Sequence, residues 1–522
     1  MSICKKRFSL LTTVILIAGF LPLESFGALP QSFVDSTNAI IETLRKRDCF
    51  VSVAGDSHQP AGQIISIRQL NNHFGFGASI GKKWFFQYDS ATYGDAFRRY
   101  FDWATPENEM KWDVNEELGD YQDYADADWL ISWCDQYHIK VRGHNLFWNE
   151  KREWIPDWVM EIYAEDTAGF KATMKRRLDS TMTHFKGRVA HWDLINEIVH
   201  GESGLPERPG LLVTLSGDTS IFSWVFTKAR EIDPLAELGV NEFGIITANS
   251  SAKEYVEEIK SIESKGAQID IVGLEGHLGD YVERTSYLER IDTIAAALPH
   301  ELWLTEVDFL VDPLVRADKM EELMRTCFAH PRVGGLVLWV WWEGNRWRPY
   351  TSFLVDSNFT ENDLGERWRT VRDSWKTATE GTLDAGGGFG FRGFHGDYVA
   401  SVQLGDSIFC DTFTLVPGED TQKVALDLNF LTGTRQPLLN KASKTSFSLN
   451  GKTVNFTLPP SESSPLFLFV YTLSGKLLAK KQVTVENGSI CLKDGEPVSG
   501  CHIICLGTER RTFFSTMNVI LK

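Results

Sequence analysis

From Phe74 onward the chain alternates short apolar segments with longer amphipathic ones, eight times over, before the pattern stops. Strands are expected near 74–78, 100–104, 140–144, 189–196, 237–241, 269–274, 302–305 and 335–339. Between them lie helical stretches such as 168–185, where Phe170, Met174, Leu178 and Met182 recur at every fourth position and predict one buried stripe. Eight strand–helix units predict an α/β fold closed into a (β/α)8 barrel. The alternative, an open doubly wound sheet, calls for a glycine-rich phosphate turn after its first strand, whereas Gly75-Phe76-Gly77 reads as part of a strand.

A barrel of this kind aims the C-terminal ends of its strands at one mouth, where a polar residue is placed for chemistry rather than packing. Two segments run an apolar strand into a glutamate that ends it: Trp192-Asp193-Leu194-Ile195-Asn196-Glu197 and Leu302-Trp303-Leu304-Thr305-Glu306-Val307-Asp308. Two carboxylates far apart in sequence yet converging in space suit glycosidic bond cleavage, one protonating the leaving oxygen and the other attacking or activating water. Taken singly, each is equally an ordinary strand-end glutamate.

The flanking residues decide between these readings. Thr105-Pro106-Glu107-Asn108-Glu109-Met110-Lys111-Trp112, His144-Asn145-Leu146-Phe147-Trp148, the two glutamate segments, Gly273-Leu274-Glu275-Gly276-His277 and Leu338-Trp339 to Trp347-Arg348-Pro349 follow in an order and spacing that resemble family 10 glycoside hydrolases, the endo-1,4-β-xylanases, over roughly 70–376. The resemblance implies a retaining mechanism with Glu197 as acid/base, Glu306 as nucleophile and carboxyls about 5–5.5 Å apart. The first step needs Glu197 protonated and Glu306 ionised. It also implies that Asn196 bonds the sugar 2-hydroxyl, that His277 bonds the nucleophile with Asp308 orienting it, and that Glu107, Asn108, Lys111, His144 and Trp148 hold the sugar on the nonreducing side. Trp339 and Trp347 would close over that sugar and exclude a 5-hydroxymethyl group. Glu275 departs from the glutamine more usual there: if ionised it raises the pKa of its neighbours, and if protonated it mimics the amide donor. Competing functions are a broader β-1,4-glycanase and a noncatalytic glycan-binding protein on a degenerate barrel.

Composition bounds the rest. A length of 522 residues fits two or three domains. Lys5, Lys6 and Arg7, an apolar run over 8–21 and small residues over 25–28 read as a signal peptide, 1–27, and predict a secreted protein. The net charge of −17 argues against nucleic acid or an anionic membrane as partner and points to a substrate that is neutral or tolerant of that field, in keeping with the xylan that the resemblance implies. Seventeen tryptophans fit stacking on sugar rings, although Trp129 and Trp133, at helical spacing, read as core. Beyond Cys4, seven cysteines remain, an odd number that leaves at least one unpaired or paired between chains. No C-x-x-C occurs and His144 and His277 lie on different strands, so no metal site or cofactor is expected.

The catalytic unit is expected over 28–404. Its flanking strands, 49–53, 64–68 and the β-rich patch 388–402, resemble segments in one subgroup of the family and predict a small sheet beside the barrel. A connecting segment, 405–440, precedes a module at 441–522, where strands at 445–449, 453–458 and 466–471 alternate with Asn450-Gly451, Pro459-Pro460 and Ser474-Gly475, the pattern of a β-sandwich. The run 470–477 resembles C-terminal sorting or surface-anchoring modules, which implies cell-surface or secretion machinery as a partner. A carbohydrate-binding module would need an aromatic platform, but 411–522 holds no tryptophan and Tyr471 as its one tyrosine.

Overall fold

The computed structural model describes residues 29–427, except 55–60, 89, 120, 150–153, 201–209, 248, 281, 350 and 405–406, together with the strands between 447 and 520. The signal peptide expected at 1–27 lies outside the described residues.

Eight parallel strands form the barrel: β1 (Gly75–Ile80), β2 (Trp103–Pro106), β3 (Lys140–Gly143), β4 (His191–Asn196), β5 (Glu237–Glu242), β6 (Ile271–Asp280), β7 (Glu301–Leu310) and β8 (Val333–Leu338). Each pairs with the next, and β8 returns to β1 through Gly335 opposite Gly75, so the ring closes. Closure satisfies every sheet edge and buries both faces, which is why these segments read as nearly continuous apolar runs. A two-residue strand, Phe147–Trp148, extends the sheet beside Ile195 and Asn196.

The second strand starts later than expected. Tyr100 is the last residue of the helix Ser90–Tyr100, and it and Phe101 are apolar because they are buried between that helix and the barrel. The expected helical stripe is present in the helix Thr167–Phe185, where Phe170, Met174, Leu178 and Met182 are all buried and the Asp166 carboxylate caps the N-terminus by accepting from the Gly169 amide. Trp129 and Trp133 are half-buried against Phe85.

Inside the ring, Trp103 and Trp303 meet at 4.7 Å between ring centroids, with His191 packed against both. Room for this plug comes from missing side chains: a Cβ on Gly75 would lie 2.4 Å, and one on Gly335 2.3 Å, from Trp303 ring atoms.

The flanking strands form two sheets rather than one. Lys46–Ala54 pairs with Gly388–Phe394 and Gln422–Asp427, while Ile64–Asn72 pairs with Ala378–Thr382 and Gly396–Leu404, the latter also with Ser407–Leu415. Val51, Ile65, Ile67, Tyr398, Leu415 and Leu426 share their core. Two of these strands fall in the segment expected to be a connector, because the alternation that buries Leu415 and Leu426 spans too few residues to stand out. Farther on, Phe447–Asn450, Thr453–Phe456 and Ser489–Cys491 make one antiparallel sheet, and Leu466–Thr472, Leu477–Val483, Gly500–Gly507 and Thr512–Ile520 another. Cys49, Cys134 and Cys327 are buried free thiols, meeting the expectation of an unpaired cysteine, and Cys410 is disulfide-bonded.

Because the plug has no slack, Gly335→Ala is expected to destabilise the barrel by about 1–3 kcal/mol through overpacking, and Trp303→Ala by about 3–5 kcal/mol through a cavity. Urea unfolding followed by tryptophan fluorescence checks both; an unchanged midpoint for Gly335→Ala contradicts this packing.

Candidate active site

Glu197 directly follows β4, whereas Glu306 does not end its strand, as the sequence suggested, but sits within β7, which continues to Leu310. Both adopt a left-handed backbone, with φ of 58° and 56°. A residue with a Cβ pays roughly 1–2 kcal/mol for that conformation, so the surrounding fold must hold it. At Glu306 the register slips against both neighbouring strands, between Leu304 and Val307 on one side and Thr305 and Asp308 on the other. This bulge turns two successive side chains the same way: Thr305 Oγ1 donates to Asn241 Oδ1 at 2.6 Å and Glu306 Oε1 accepts from Asn241 Nδ2 at 2.9 Å.

Asn241 therefore lies at the centre. Its Nδ2 is also 2.9 Å from Asn196 Oδ1 and 2.8 Å from Glu275 Oε1, and its carbonyl accepts the Glu197 amide at 2.7 Å. Three glutamates, each nearly excluded from water, thus meet at this residue, Glu275 and Glu306 through carboxyls on its side-chain amide and Glu197 through its own backbone N–H: Glu197 at 6%, Glu275 at 2% and Glu306 at 6% exposure.

Cations and a proton make this arrangement tenable. His277 Nε2 is 3.3 Å from Glu306 Oε2, while its Nδ1 is 2.9 Å from Asp308 Oδ1. Burial alone would lower the pKa of His277, but the Asp308 and Glu306 carboxylates outweigh it and lift the imidazole to about 10. On the opposite side of the nucleophile, His144 Nδ1 lies 2.9 Å from Asp193 Oδ2 and 3.8 Å from Glu306 Oε1, and Asp193 is paired with the buried Arg142 guanidinium. Burial would raise Glu306; His144, His277 and Arg142 instead bring it down to about 2, with His277 and Arg142 the lasting charges, because burial lowers the pKa of His144 itself. Glu275 moves the other way: burial, then the charges of Glu306 and Glu197, push it well above the carboxylate range. Its surroundings thus favour the protonated form where those of Glu306 favour the ionised one, and in that form it is a neutral hydrogen-bonding group in the place of an amide.

The rim residues converge on the same mouth. Lys111 Nζ bonds Asn108 Oδ1 at 3.0 Å and lies over the rings of Trp148 and Trp154. Glu107 accepts from Asn345 at 3.2 Å, Trp339 packs edge-on against His144, and Trp347 donates to Asp308 Oδ2 at 2.8 Å while keeping 47% exposure. Trp148 also touches the acid/base residue. One face of its indole is stacked on Trp154 at 5.1 Å and its N–H donates to Glu197, so it holds the acid/base rather than offering that face to a sugar. Among the described residues, Glu275, His277 and Glu306 are the group whose ligand atoms lie close enough to hold a metal ion.

Asn241, Trp154 and the Arg142–Asp193 pair were not foreseen; an asparagine at the end of an apolar strand carries no signal of its own. Glu242 also escaped notice although it too ends a strand. Its carboxylate accepts from the Val199 amide and faces His200 Nδ1 at 2.7 Å, fixing the segment that follows Glu197.

Residues 66–367 match the family model described as glycosyl hydrolase family 10. The chain belongs to that family. Relatives of this family 10 chain include the anti-sigma-I factor RsgI6 of Acetivibrio thermocellus, 37% identical over 77% of the chain and 49% of that protein, and endo-1,4-beta-xylanase 2 of Arabidopsis thaliana, 31% identical over 79% of the chain and 37% of that protein. The chain spans half or less of the length of these relatives. Xylanase 10B from Thermotoga petrophila RKU-1, solved with xylobiose, shares the fold with a TM-score of 0.53 and 22% identity, covering 58% of this chain and 94% of its own.

Raising a histidine pKa in the fold links stability to pH. The His277 contribution is complete below the unfolded value of 6.5 and disappears as pH rises through about 10. His277→Asn lacks this contribution, so the melting-temperature gap between wild type and variant should narrow from pH 6.5 to pH 10 in differential scanning calorimetry; a constant gap contradicts the assignment.

Proposed function

We propose that this family 10 chain is a retaining endo-1,4-β-xylanase, with Glu306 as nucleophile and Glu197 as acid/base. The observation that carries the reading is the convergence of the two glutamates on Asn241, from β4 and β7, with the pKa of one of them pressed down beside His277. The Glu306 carboxylate attacks the anomeric carbon while Glu197 gives its proton to the departing oxygen, leaving a glycosyl ester on Glu306 and an anionic Glu197. Glu197 then takes a proton from water, the resulting hydroxide equivalent attacks the anomeric carbon, and Glu306 leaves as carboxylate. Trp148 holds Glu197 in place through its N–H, and Asn196 and Lys111 supply polar contacts to the sugar hydroxyls. Trp339 and Trp347 wall the site, and that wall supports xylose, which lacks the 5-hydroxymethyl group, over glucose. The names of the plant relatives support the same substrate class.

The apolar run near the N-terminus and the Cys410 disulfide support secretion, and the resemblance of the run 470–477 to sorting or surface-anchoring modules supports such a role for the C-terminal strands. The likeness to a protein named as an anti-sigma factor, not as a hydrolase, supports a second reading in which the barrel does not cleave glycan.

Reducing-sugar release separates these readings. Wild type should cleave xylan, with carboxymethylcellulose in parallel testing for a broader glycanase, and Glu306→Gln should lose at least about 10⁴-fold in kcat, as removal of a nucleophile does. A folded wild type that binds xylan without cleaving it favours the second reading.

Glu275→Gln keeps a neutral donor beside the pair and removes the group whose ionisation would add an anion there. Its pH–rate profile should match that of wild type wherever Glu275 is held in its protonated form; a profile whose alkaline limb moves downward, as loss of an anion that raises the pKa of Glu197 would produce, counts against a proton held on Glu275.

A further inference from the structure

The glutamate that replaces the expected glutamine changes what the mouth can bind. His277 Nε2 stands 3.3 Å from Glu306 Oε2 and 3.7 Å from Glu275 Oε2, and one ligand atom from each of the three residues lies within 4.8 Å of the others. Ligand atoms at the corners of a tetrahedron around a zinc ion, with bonds of ~2.0–2.1 Å, are ~3.3–3.4 Å apart. The two printed separations sit at or just above that edge, so small side-chain adjustments would close the cage. Asp308 engages Nδ1 of the same imidazole at 2.9 Å, the carboxylate–histidine arrangement that orients a metal-binding ring and makes it a better ligand. Glutamine at position 275 would offer a neutral amide oxygen in place of a carboxyl that can lose its proton to a cation.

We propose that Glu275, His277 and Glu306 form a binding site for a divalent transition cation of the zinc type, which reversibly shuts the barrel mouth. Two carboxylates and one imidazole leave the fourth position open toward the cleft, where water completes the shell. Entry of the cation displaces two protons, one from His277 Nε2 and one from the Glu275 carboxyl, both of which pass to solvent, and occupies the Glu306 lone pair that attack on a sugar requires. The imidazole favours zinc over magnesium or calcium, which prefer all-oxygen shells. The inhibitory half of this proposal rests on the xylanase reading, whereas cation binding does not.

Isothermal titration of the full chain with Zn²⁺ and, separately, Mg²⁺ tests it, comparing wild type with Glu275→Gln after both show the same circular dichroism and melting behaviour. The expected result is one Zn²⁺ per wild-type chain bound at least 100-fold tighter than Mg²⁺, with that site weakened at least tenfold by Glu275→Gln. His277→Asn, titrated in parallel, should weaken it by at least as much. If either variant binds Zn²⁺ as tightly as wild type, the cation sits elsewhere and the proposal is overturned, as it is if wild type shows no preference for Zn²⁺. Xylan hydrolysis with added Zn²⁺ reads the second half: a raised apparent KM at unchanged kcat supports competition at the mouth, and inhibition that persists in Glu275→Gln overturns it. A chain that binds Zn²⁺ but cleaves no xylan overturns the xylanase reading alone.

Discussion

Three nearly buried carboxyl groups crowd the mouth of this barrel, and much of the surrounding structure follows from that crowding. Like charges in a low-dielectric pocket cannot all persist, because each ion has lost its hydration and gained a repulsive neighbour. The chain resolves this unevenly. Glu306 receives His277 on one side and the Arg142–Asp193–His144 chain on the other, and keeps its charge. Glu275, a hydrogen-bond length from the same Asn241 amide, keeps its proton instead. An ionised Glu306 is what the first displacement requires, since a nucleophile must be anionic when a proton is delivered nearby.

The backbone does the aiming. In a regular strand Thr305 and Glu306 would face opposite sides, and Glu306 would point away from the barrel interior if Thr305 pointed into it. The bulge lets both meet Asn241, and the left-handed φ at Glu197 and at Glu306 marks the two places where the sheet gives up regularity. Such strain persists only in a rigid frame. That frame is the closed ring, filled at its interior by Trp103 and Trp303 where Gly75 and Gly335 leave space, and covered outside by helices such as Thr167–Phe185.

Much of this was readable from residue order. Strand segments announced themselves because burial on both faces demands apolar runs, and the helical stripe at Phe170, Met174, Leu178 and Met182 follows from 3.6 residues per turn. The second strand was placed early because Tyr100 and Phe101 are as apolar as a strand while serving a helix end. A glutamate closing a strand was a less selective signal than it looked: Glu242 also closes one and serves to fix the segment after Glu197. Asn241 and the bulge at Glu306 left no local trace, because their roles exist only once β4, β5, β6 and β7 lie side by side. Trp148 was identified as a site residue through the resemblance, but the stack on Trp154 that redirects its N–H to Glu197 depends on a neighbour with no pattern of its own.

The central claim is that Glu306 is the residue that becomes covalently attached to the sugar. Incubating the chain with a 2-deoxy-2-fluoro-xylobioside bearing a good leaving group, then digesting it and sequencing the labelled peptide by mass spectrometry, tests this directly, because the fluorine slows the second displacement and lets the ester accumulate. The account predicts one sugar per chain, on Glu306, with loss of activity in proportion to labelling. A label on another carboxylate, or full turnover of xylan without any trapped ester and with the first-formed product of inverted configuration, would contradict it.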